Sequence, residues 1–326
     1  MPILLSELIE KVSPDVESLV RRTLDKARPF LQEALRSECR LVMRTAQESE
    51  ENRAGAQVPI EVAPGYPAIL ESVEFPDEFK HILLLTRYRE SLEKASEGVS
   101  GLIQLRKQLL HLSDAEKWVK ASEGELTATL QWANELLDLI DRYDPVSRVL
   151  AVRDDTLGIY EYQDSNTDDK TVNRATIKLY WGVIGLVSDW MGLSVEDLTI
   201  VVLAHELAHA YTQLGADIEG RRWPSRQFSK AEKELKEGLA QYYTDRVLTR
   251  LDRRYGGAFK AYEALLAKQP EEYRTHIPWI EHCSPEAVRR AMIEVRRWDE
   301  GTISQFEGRL ASAAEQLRPS VSDLFS

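Results

Sequence analysis

The stretch TIVVLAHELAHAY, residues 199–211, constrains the fold more than any other part of the chain. Its apolar residues occupy all sides of a helix instead of one stripe, and a helix of that kind is buried. Ser194 is a capping residue that can begin this helix, and Gly215 is suited to end it. We therefore predict a buried helix over residues 194–214, whose two histidines and glutamate need partners in the interior.

The polar residues of this helix form the pattern HExxH, with His205, Glu206 and His209. A spacing of four places both imidazoles on one face, one turn apart, close enough to bind one metal ion. Glu206 projects about 100° away, where it can take a proton from a metal-bound water. Zinc suits such a site. We predict that His205 and His209 bind Zn²⁺ and that Glu206 is the catalytic base; the alternative is two ordinary core histidines.

The third metal ligand distinguishes the classes of HExxH protein. Metzincins need a ligand six residues after the second histidine, where this chain has Gly215. Over residues 175–250 the chain instead resembles the zincin metallopeptidases of the gluzincin type. This resemblance rests on the HExxH motif and on the stretch Glu237-Gly238-Leu239-Ala240-Gln241-Tyr242-Tyr243. The resemblance implies that Glu237 is the third ligand, on a helix that follows the HExxH helix.

The chain departs from the gluzincin pattern in one respect. His209 and Glu237 are separated by 27 residues, a longer segment than in thermolysin-like or aminopeptidase-like members, and the insertion is a loop that we expect near the cleft. Four other carboxylates stay open as ligands: Asp217, Glu219, Glu232 and Glu234. Gln241, one turn after Glu237, is a candidate hydrogen-bond partner of a ligand histidine.

The resemblance also implies roles for two further parts of the chain. In zincins an edge strand before the metal helix pairs with an extended substrate peptide, and ATIKLYW, residues 175–181, is the candidate. An ordinary buried strand is the alternative. A later element usually donates a hydrogen bond to the developing oxyanion. We expect His276 or Tyr273 in this role. The remaining candidates are Tyr243, Tyr262 and His282.

Composition limits the classes of partner. The chain has 326 residues, 43% hydrophobic and 29% charged, which is typical of a globular protein. Its formal charge of −12 argues against nucleic acid or an anionic membrane as a partner. The two distant cysteines predict free thiols. The N-terminus, with two early glutamates and no basic region, does not resemble a secretory signal. We expect a cytoplasmic protein, and nothing in the sequence specifies its oligomeric state.

The predicted architecture is mainly α, of the α+β type. Residues 1–145 form a helical N-terminal region with a proline-rich connection at about 48–78, including a short strand near residues 58–62. Residues 146–326 form the zincin-like core, with a small mixed sheet packed on the HExxH helix and a helical C-terminal part. Within these regions we expect Pro29 to break or kink a helix, an interruption near residues 98–101, and a hairpin within residues 146–162.

Three functions are compatible with these patterns. The first is a zinc-dependent hydrolase that cleaves a peptide or protein substrate. The second is a helical interaction or assembly protein with a structural or inactive zinc site, although a purely structural site does not need Glu206. The third is metal-assisted hydrolysis of an amide that is not a peptide, which uses the same residues.

Overall fold

The computed structural model describes residues 3–43, 58–76, 86, 88–109, 123–152, 156–164, 172–298 and 301–317. The α-helices in these ranges are α1 (Leu5–Ile9), α2 (Asp15–Cys39), α3 (Arg89–Leu109), α4 (Glu123–Tyr143), α5 (Pro145–Leu150), α6 (Trp181–Met191), α7 (Val195–Leu214), α8 (Ser225–Lys230), α9 (Lys233–Arg250), α10 (Asp252–Lys268), α11 (Ile277–His282), α12 (Pro285–Trp298) and α13 (Ile303–Gln316). Two short 3₁₀ helices span Ala68–Ser72 and Glu271–Arg274. The strands are β1 (Ile3–Leu4), β2 (Val42–Met43), β3 (Ile60–Ala63), β4 (Glu74–Phe75), β5 (Gly158–Asp164), β6 (Val172–Tyr180) and β7 (Gly215–Ala216). The prediction of a mainly α fold with small sheets is confirmed.

Helix α7, which carries HExxH, lies at the centre of the fold. Ser194 caps it by accepting a hydrogen bond from the backbone N–H of Asp197. All residues from 198 to 213 are buried except His205, whose side chain is 12% exposed. Helices α2, α6, α9 and α10 and strands β5 and β6 pack around α7. The predicted buried helix is therefore confirmed, because a helix that is apolar on every side needs neighbours on every side.

A three-stranded sheet in the order β3-β6-β5 covers one side of α7. Strand β3 is parallel to β6, with Ile60 opposite Ile177, and β5 is antiparallel to β6, with Gly158 opposite Leu179. This confirms the small mixed sheet on the HExxH helix. Strand β6, which contains ATIKLY of the predicted strand while Trp181 begins α6, is the central strand of the three. Its two edges are already hydrogen-bonded, so it cannot serve as the substrate-pairing edge strand.

Helix α2 packs against α7 and α9 from the N-terminal half of the chain. The predicted break at Pro29 is wrong, because α2 continues through it from Asp15 to Cys39. A proline removes one helical hydrogen bond, but Ala27 and Leu31 on either side of Pro29 are fully buried. Burial of that face offsets the loss. One hydrophobic core contains residues from both sides of residue 145.

Helices α3 and α4 form a pair that contact each other extensively. Ser96 donates a hydrogen bond to Asn134, and Arg89 pairs with Asp141. The predicted interruption at residues 98–101 is wrong, since α3 is continuous there.

The predicted hairpin within 146–162 is also wrong. The segment expected to form the first strand of that hairpin lies in helix α5, whose first turn is capped by Asp144. The segment expected to form the second strand is β5, which pairs with β6.

The C-terminal helices hold the segment that follows α7. Arg296 of α12 donates a hydrogen bond to the carbonyl of Gly215, and Arg297 pairs with Asp217 at 3.1 Å.

Both cysteines are free. In the described part of the chain, no helix combines the length and the apolar character needed to cross a membrane.

Gly158, the first residue of β5, allows the sheet to approach α7 closely. A Cβ atom at this position would lie 2.7 Å from Cγ1 of Val202 and 3.1 Å from Cγ of Glu206. Either the strand or the two side chains would have to move. We predict that Gly158→Ala lowers the free energy of unfolding by about 1–3 kcal/mol, measured by urea denaturation.

Gly98 provides a matched control, since it lies in α3 and a Cβ atom there meets nothing within 4 Å. Gly98→Ala should raise the free energy of unfolding by up to about 1 kcal/mol, because alanine is the better helix former. Equal effects of the two substitutions would show that β5 does not pack on α7 as described.

Candidate metal centre

Three side chains from two helices, two of them buried and the third 12% exposed, converge on one point. Nε2 of His205 and Nε2 of His209, one turn apart on α7, are 3.1 Å from each other. Oε2 of Glu237, from α9, lies 3.2 Å from the first nitrogen and 3.4 Å from the second. The structure thus brings together the two histidines and the glutamate named from the sequence. Among the described residues they are the one group of histidine, cysteine or acidic side chains arranged to hold a metal ion.

The spacing of these three atoms fits a small metal ion. Ligand atoms around a tetrahedral ion with bonds of about 2.0–2.1 Å stand roughly 3.3 Å apart, and the observed separations run from 3.1 to 3.4 Å. Oε2 of Glu237 is buried and has no partner in hydrogen-bond geometry. A buried carboxylate oxygen is expected to have a partner, and a cation between the three atoms would supply it. The residues therefore could hold a metal ion.

Electrostatics keep Glu237 charged in this position. Burial by itself would raise the pKa of its carboxyl group, but the nearby His209 and His205 hold that pKa well below its usual range. The residue after it, Gly238, lets α11 pack closely behind: a Cβ atom there would lie 2.7 Å from the ring of Trp279. This close contact explains the glycine in the EGLAQYY stretch.

The other four carboxylates considered as ligands are placed elsewhere. Asp217 and Glu219 form ion pairs with Arg297. Glu232 accepts a hydrogen bond from the backbone N–H of Ile303, and Glu234 is exposed. The long segment between the two ligand helices is also not where we expected it. It forms β7 and α8, is held by α12, and contributes no residue to the cleft beside the histidines.

Glu206 and His205 line a cleft beside the three converging atoms. Glu206 is 2% exposed and lies against Gly158, with Oε1 3.1 Å from the position of a Cβ atom there. His209 and Glu237 do not line this cleft. The cleft therefore reaches the centre from the side on which HExxH places its glutamate, and a ligand in it would meet both His205 and Glu206.

Gln241 lies in the cleft but does not support a histidine as predicted. Its Nε2 donates a hydrogen bond to Oε1 of Gln269 at 3.2 Å, and its Oε1 has no hydrogen-bond partner. The helical spacing places Gln241 on the same side of α9 as Glu237, but its amide reaches the residue that follows α10 instead of an imidazole. The prediction that Gln241 forms a hydrogen bond with a metal-binding histidine is therefore wrong.

His276 lies behind the cleft and not in it. It is 1% exposed, its Nδ1 donates to the carbonyl of Tyr273 at 3.0 Å, and its Nε2 accepts from the hydroxyl of Tyr262 at 2.8 Å. With both ring nitrogens engaged, His276 has no proton to offer a ligand, which corrects its expected role as oxyanion donor. Burial lowers the pKa of its imidazole to about 4, outweighing the opposite effect of the Tyr273 carbonyl, so the ring is neutral at pH 7.

The other residues considered as hydrogen-bond donors to the oxyanion differ in whether they line the cleft. Tyr273 and Tyr262 both line the cleft, and the Tyr273 ring is 5.9 Å from the His205 ring, measured between centroids. Tyr243 is fully buried outside the cleft, and the His282 side chain is 73% exposed. Tyr273 is therefore the candidate that fits best.

Several cleft residues could not be named from the sequence. Leu150, Leu157 and Leu265 form apolar walls, and Gln269 pairs with Gln241. These residues come from distant segments and have no common pattern. Gly158 did carry a signal, because a glycine inside a strand pattern often marks the close approach of another element.

Fold and site together define a mainly helical protein with a buried site that could hold a metal ion. No protein-family model matches the chain, and neither does any curated protein or solved structure.

The first prediction from this geometry concerns metal affinity. Glu237→Gln keeps the shape of the side chain but removes the charge that faces the two imidazoles. We expect it to weaken Zn²⁺ binding at least about 100-fold, measured by competition with a chromophoric chelator. Glu234→Gln, an exposed position on the same helix, should leave the affinity unchanged. Equal affinities for both variants would rule out Glu237 as a ligand.

A second prediction concerns pH and His276. The unfolded histidine binds a proton below about pH 6.5, whereas the folded one stays neutral down to about pH 4. The free energy of unfolding of metal-free protein therefore falls as the pH drops through this window, by about 2 kcal/mol between pH 7 and pH 5 from this residue alone. His276→Gln should lack this component of the pH dependence. His282→Gln, at an exposed histidine, should retain it; identical pH profiles for the two variants would contradict the assignment.

Proposed function

We propose that the protein is a zinc-dependent hydrolase that cleaves amide bonds, most simply those of a peptide or protein. The observation that carries this proposal is the position of Glu206. Its carboxylate lines a cleft that reaches the His205–His209–Glu237 centre. A metal site with a purely structural role needs neither a cleft nor an acid beside it.

Each residue of the centre has a role in this proposal. Zinc, when bound by His205, His209 and Glu237, would polarise a carbonyl and lower the pKa of a water molecule to near 7. Glu206 takes a proton from the attacking water and passes it to the leaving amine. The Tyr273 hydroxyl donates a hydrogen bond to the developing oxyanion. His276 acts through its neighbours, because its two hydrogen bonds fix the backbone of Tyr273 and the side chain of Tyr262.

An extended peptide is the substrate class that the sheet favours. Gly158 of β5 contacts Glu206, and the described residues include no strand paired to the outer edge of β5. A peptide can add to such an edge by backbone hydrogen bonds. The edge-strand role that the gluzincin resemblance implies therefore moves from β6 to β5. The resemblance of HExxH and EGLAQYY to gluzincin peptidases supports the same substrate class.

The test is hydrolysis of a mixed peptide library by the zinc-loaded full-length chain, with products identified by mass spectrometry. Glu206→Gln should bind zinc as the wild type does and lose at least about 100-fold in kcat/KM, because it retains the shape but not the basicity of the carboxylate. Glu196→Gln, at an exposed position on the same helix, should retain full activity.

Two results would contradict this proposal. If the zinc-loaded wild type cleaves no peptide and no simple amide, the hydrolase function fails. If Glu206→Gln cleaves peptides as fast as the wild type, Glu206 is not the base. A zinc-binding protein without any hydrolytic activity would agree with the alternative of a helical interaction protein with a structural or inactive zinc site.

A further inference from the structure

Helices α3 and α4 form an antiparallel pair. Ser96 bonds to Asn134 and Arg89 to Asp141, so the numbering runs in opposite directions along the two helices. Each helix has 21 residues and is therefore about 31 Å long. In the described part of the chain, neither helix packs extensively against a third element. The pair therefore has a large surface that the described body of the protein does not cover.

One apolar stripe on each helix accounts for the contact between them. Leu92 and Val99 of α3 are half-buried, as are Leu130 and Leu137 of α4, and Ala133 is buried. Their spacing of three, four or seven residues places each set on one side of its helix. Counted at 100° per residue, the hydrogen-bonded side chains of both helices are rotated from these stripes by roughly 50° in the same sense. The polar contacts therefore lie along one flank of the pair.

The opposite flank carries a second apolar stripe from each helix. Leu102 of α3, Trp132 of α4 and Tyr88 directly before α3 are each more than half exposed. All three are rotated from the first stripes in the sense opposite to that of the hydrogen-bonded residues. In an antiparallel pair, equal senses of rotation lead to the same side, so both helices contribute to one surface. We call this surface the outer face; it consists of Tyr88, Ala95, Leu102, Trp132, Leu136 and Leu139.

We propose that the outer face is the interface of a homodimer in which two copies form a four-helix bundle. Exposed apolar residues grouped on one face are typical of an interaction site. Each helix is about 10 Å wide, so the pair presents a face of roughly 600 Å² in projection. This is the scale of the about 800 Å² of accessible surface that each partner buries in a stable complex.

The charges of the two helices favour a second copy as the occupant. Helix α3 carries four basic and three acidic residues, whereas α4 carries one basic and five acidic residues. A two-fold axis parallel to the helices places α3 of each copy on α4 of the other, with all neighbours antiparallel. A two-fold axis across the helices would instead stack the two acidic α4 helices, and like charges oppose such a contact.

One pair of charges follows from this arrangement. A two-fold axis parallel to the helices keeps each residue at its level along the bundle. The register of the pair puts Lys94 at the level of Leu136, the neighbour of Glu135. Lys94 and Glu135 are exposed and lie on the outer edges of their helices, beside the outer face. Lys94 of one copy therefore lies beside Glu135 of the other.

Sedimentation equilibrium of the purified full-length protein tests this interface. We expect the wild type to form a dimer with a dissociation constant in the micromolar range or below. Trp132→Glu places a charge in the apolar face and should raise the dissociation constant at least about 30-fold. Trp298→Glu, at an exposed tryptophan of α12, should dimerise as the wild type does. Both positions are exposed, so circular dichroism should show the same helix content in all three proteins.

A charge exchange tests how the two copies are arranged. Lys94→Glu should weaken the dimer about fivefold, because it faces Glu135 of the other copy. The double variant Lys94→Glu/Glu135→Lys should restore the wild-type dissociation constant. A wild type that is monomeric at micromolar concentration would overturn the interface, as would a dimer that Trp132→Glu leaves intact. Failure of the double variant to recover would overturn the packing of α3 on α4. Dimerisation through this face requires neither a metal ion nor the proposed hydrolase function.

Discussion

One buried carboxylate meets two imidazoles at the centre of the fold. Glu237 reaches His205 and His209 from a separate helix, and its oxygen lies 3.2 and 3.4 Å from their Nε2 atoms. In the core such groups are costly unless they are paired or bind a metal. The helices and the sheet around α7 have to leave room for this cluster at the centre and still cover an otherwise apolar helix.

The cleft follows from the same arrangement. Strand β5 can lie on α7 only because Gly158 has no side chain, and this places the first residue of the strand against Glu206. On the other side, His276 holds Tyr262 and the backbone of Tyr273 through two hydrogen bonds while remaining neutral. The residues proposed for chemistry thus lie on regular elements or are fixed by buried hydrogen bonds, which is what a preorganised site requires.

The centre could be predicted from the sequence, whereas much of its surroundings could not. The helical spacing of His205 and His209 is local, and the EGLAQYY pattern identified Glu237. Three errors had a common cause, namely that tertiary packing overrides local signals. Pro29 continues a helix whose face is buried, residues 98–101 stay helical despite two glycines, and β6 is the central strand of its sheet. Nor could spacing show that Gln241 pairs with Gln269 or that His276 lies behind the cleft, since those contacts join distant segments.

X-ray absorption spectroscopy at the zinc edge, on purified full-length protein, tests the central claim most directly. We expect near-stoichiometric zinc with two imidazole nitrogens and two oxygens at about 2.0–2.1 Å, one oxygen from Glu237 and one exchangeable. Protein that retains no zinc at micromolar concentration would show that His205, His209 and Glu237 are not a zinc site. A first shell without two imidazoles would show the same, and one without an exchangeable oxygen would contradict the hydrolytic role.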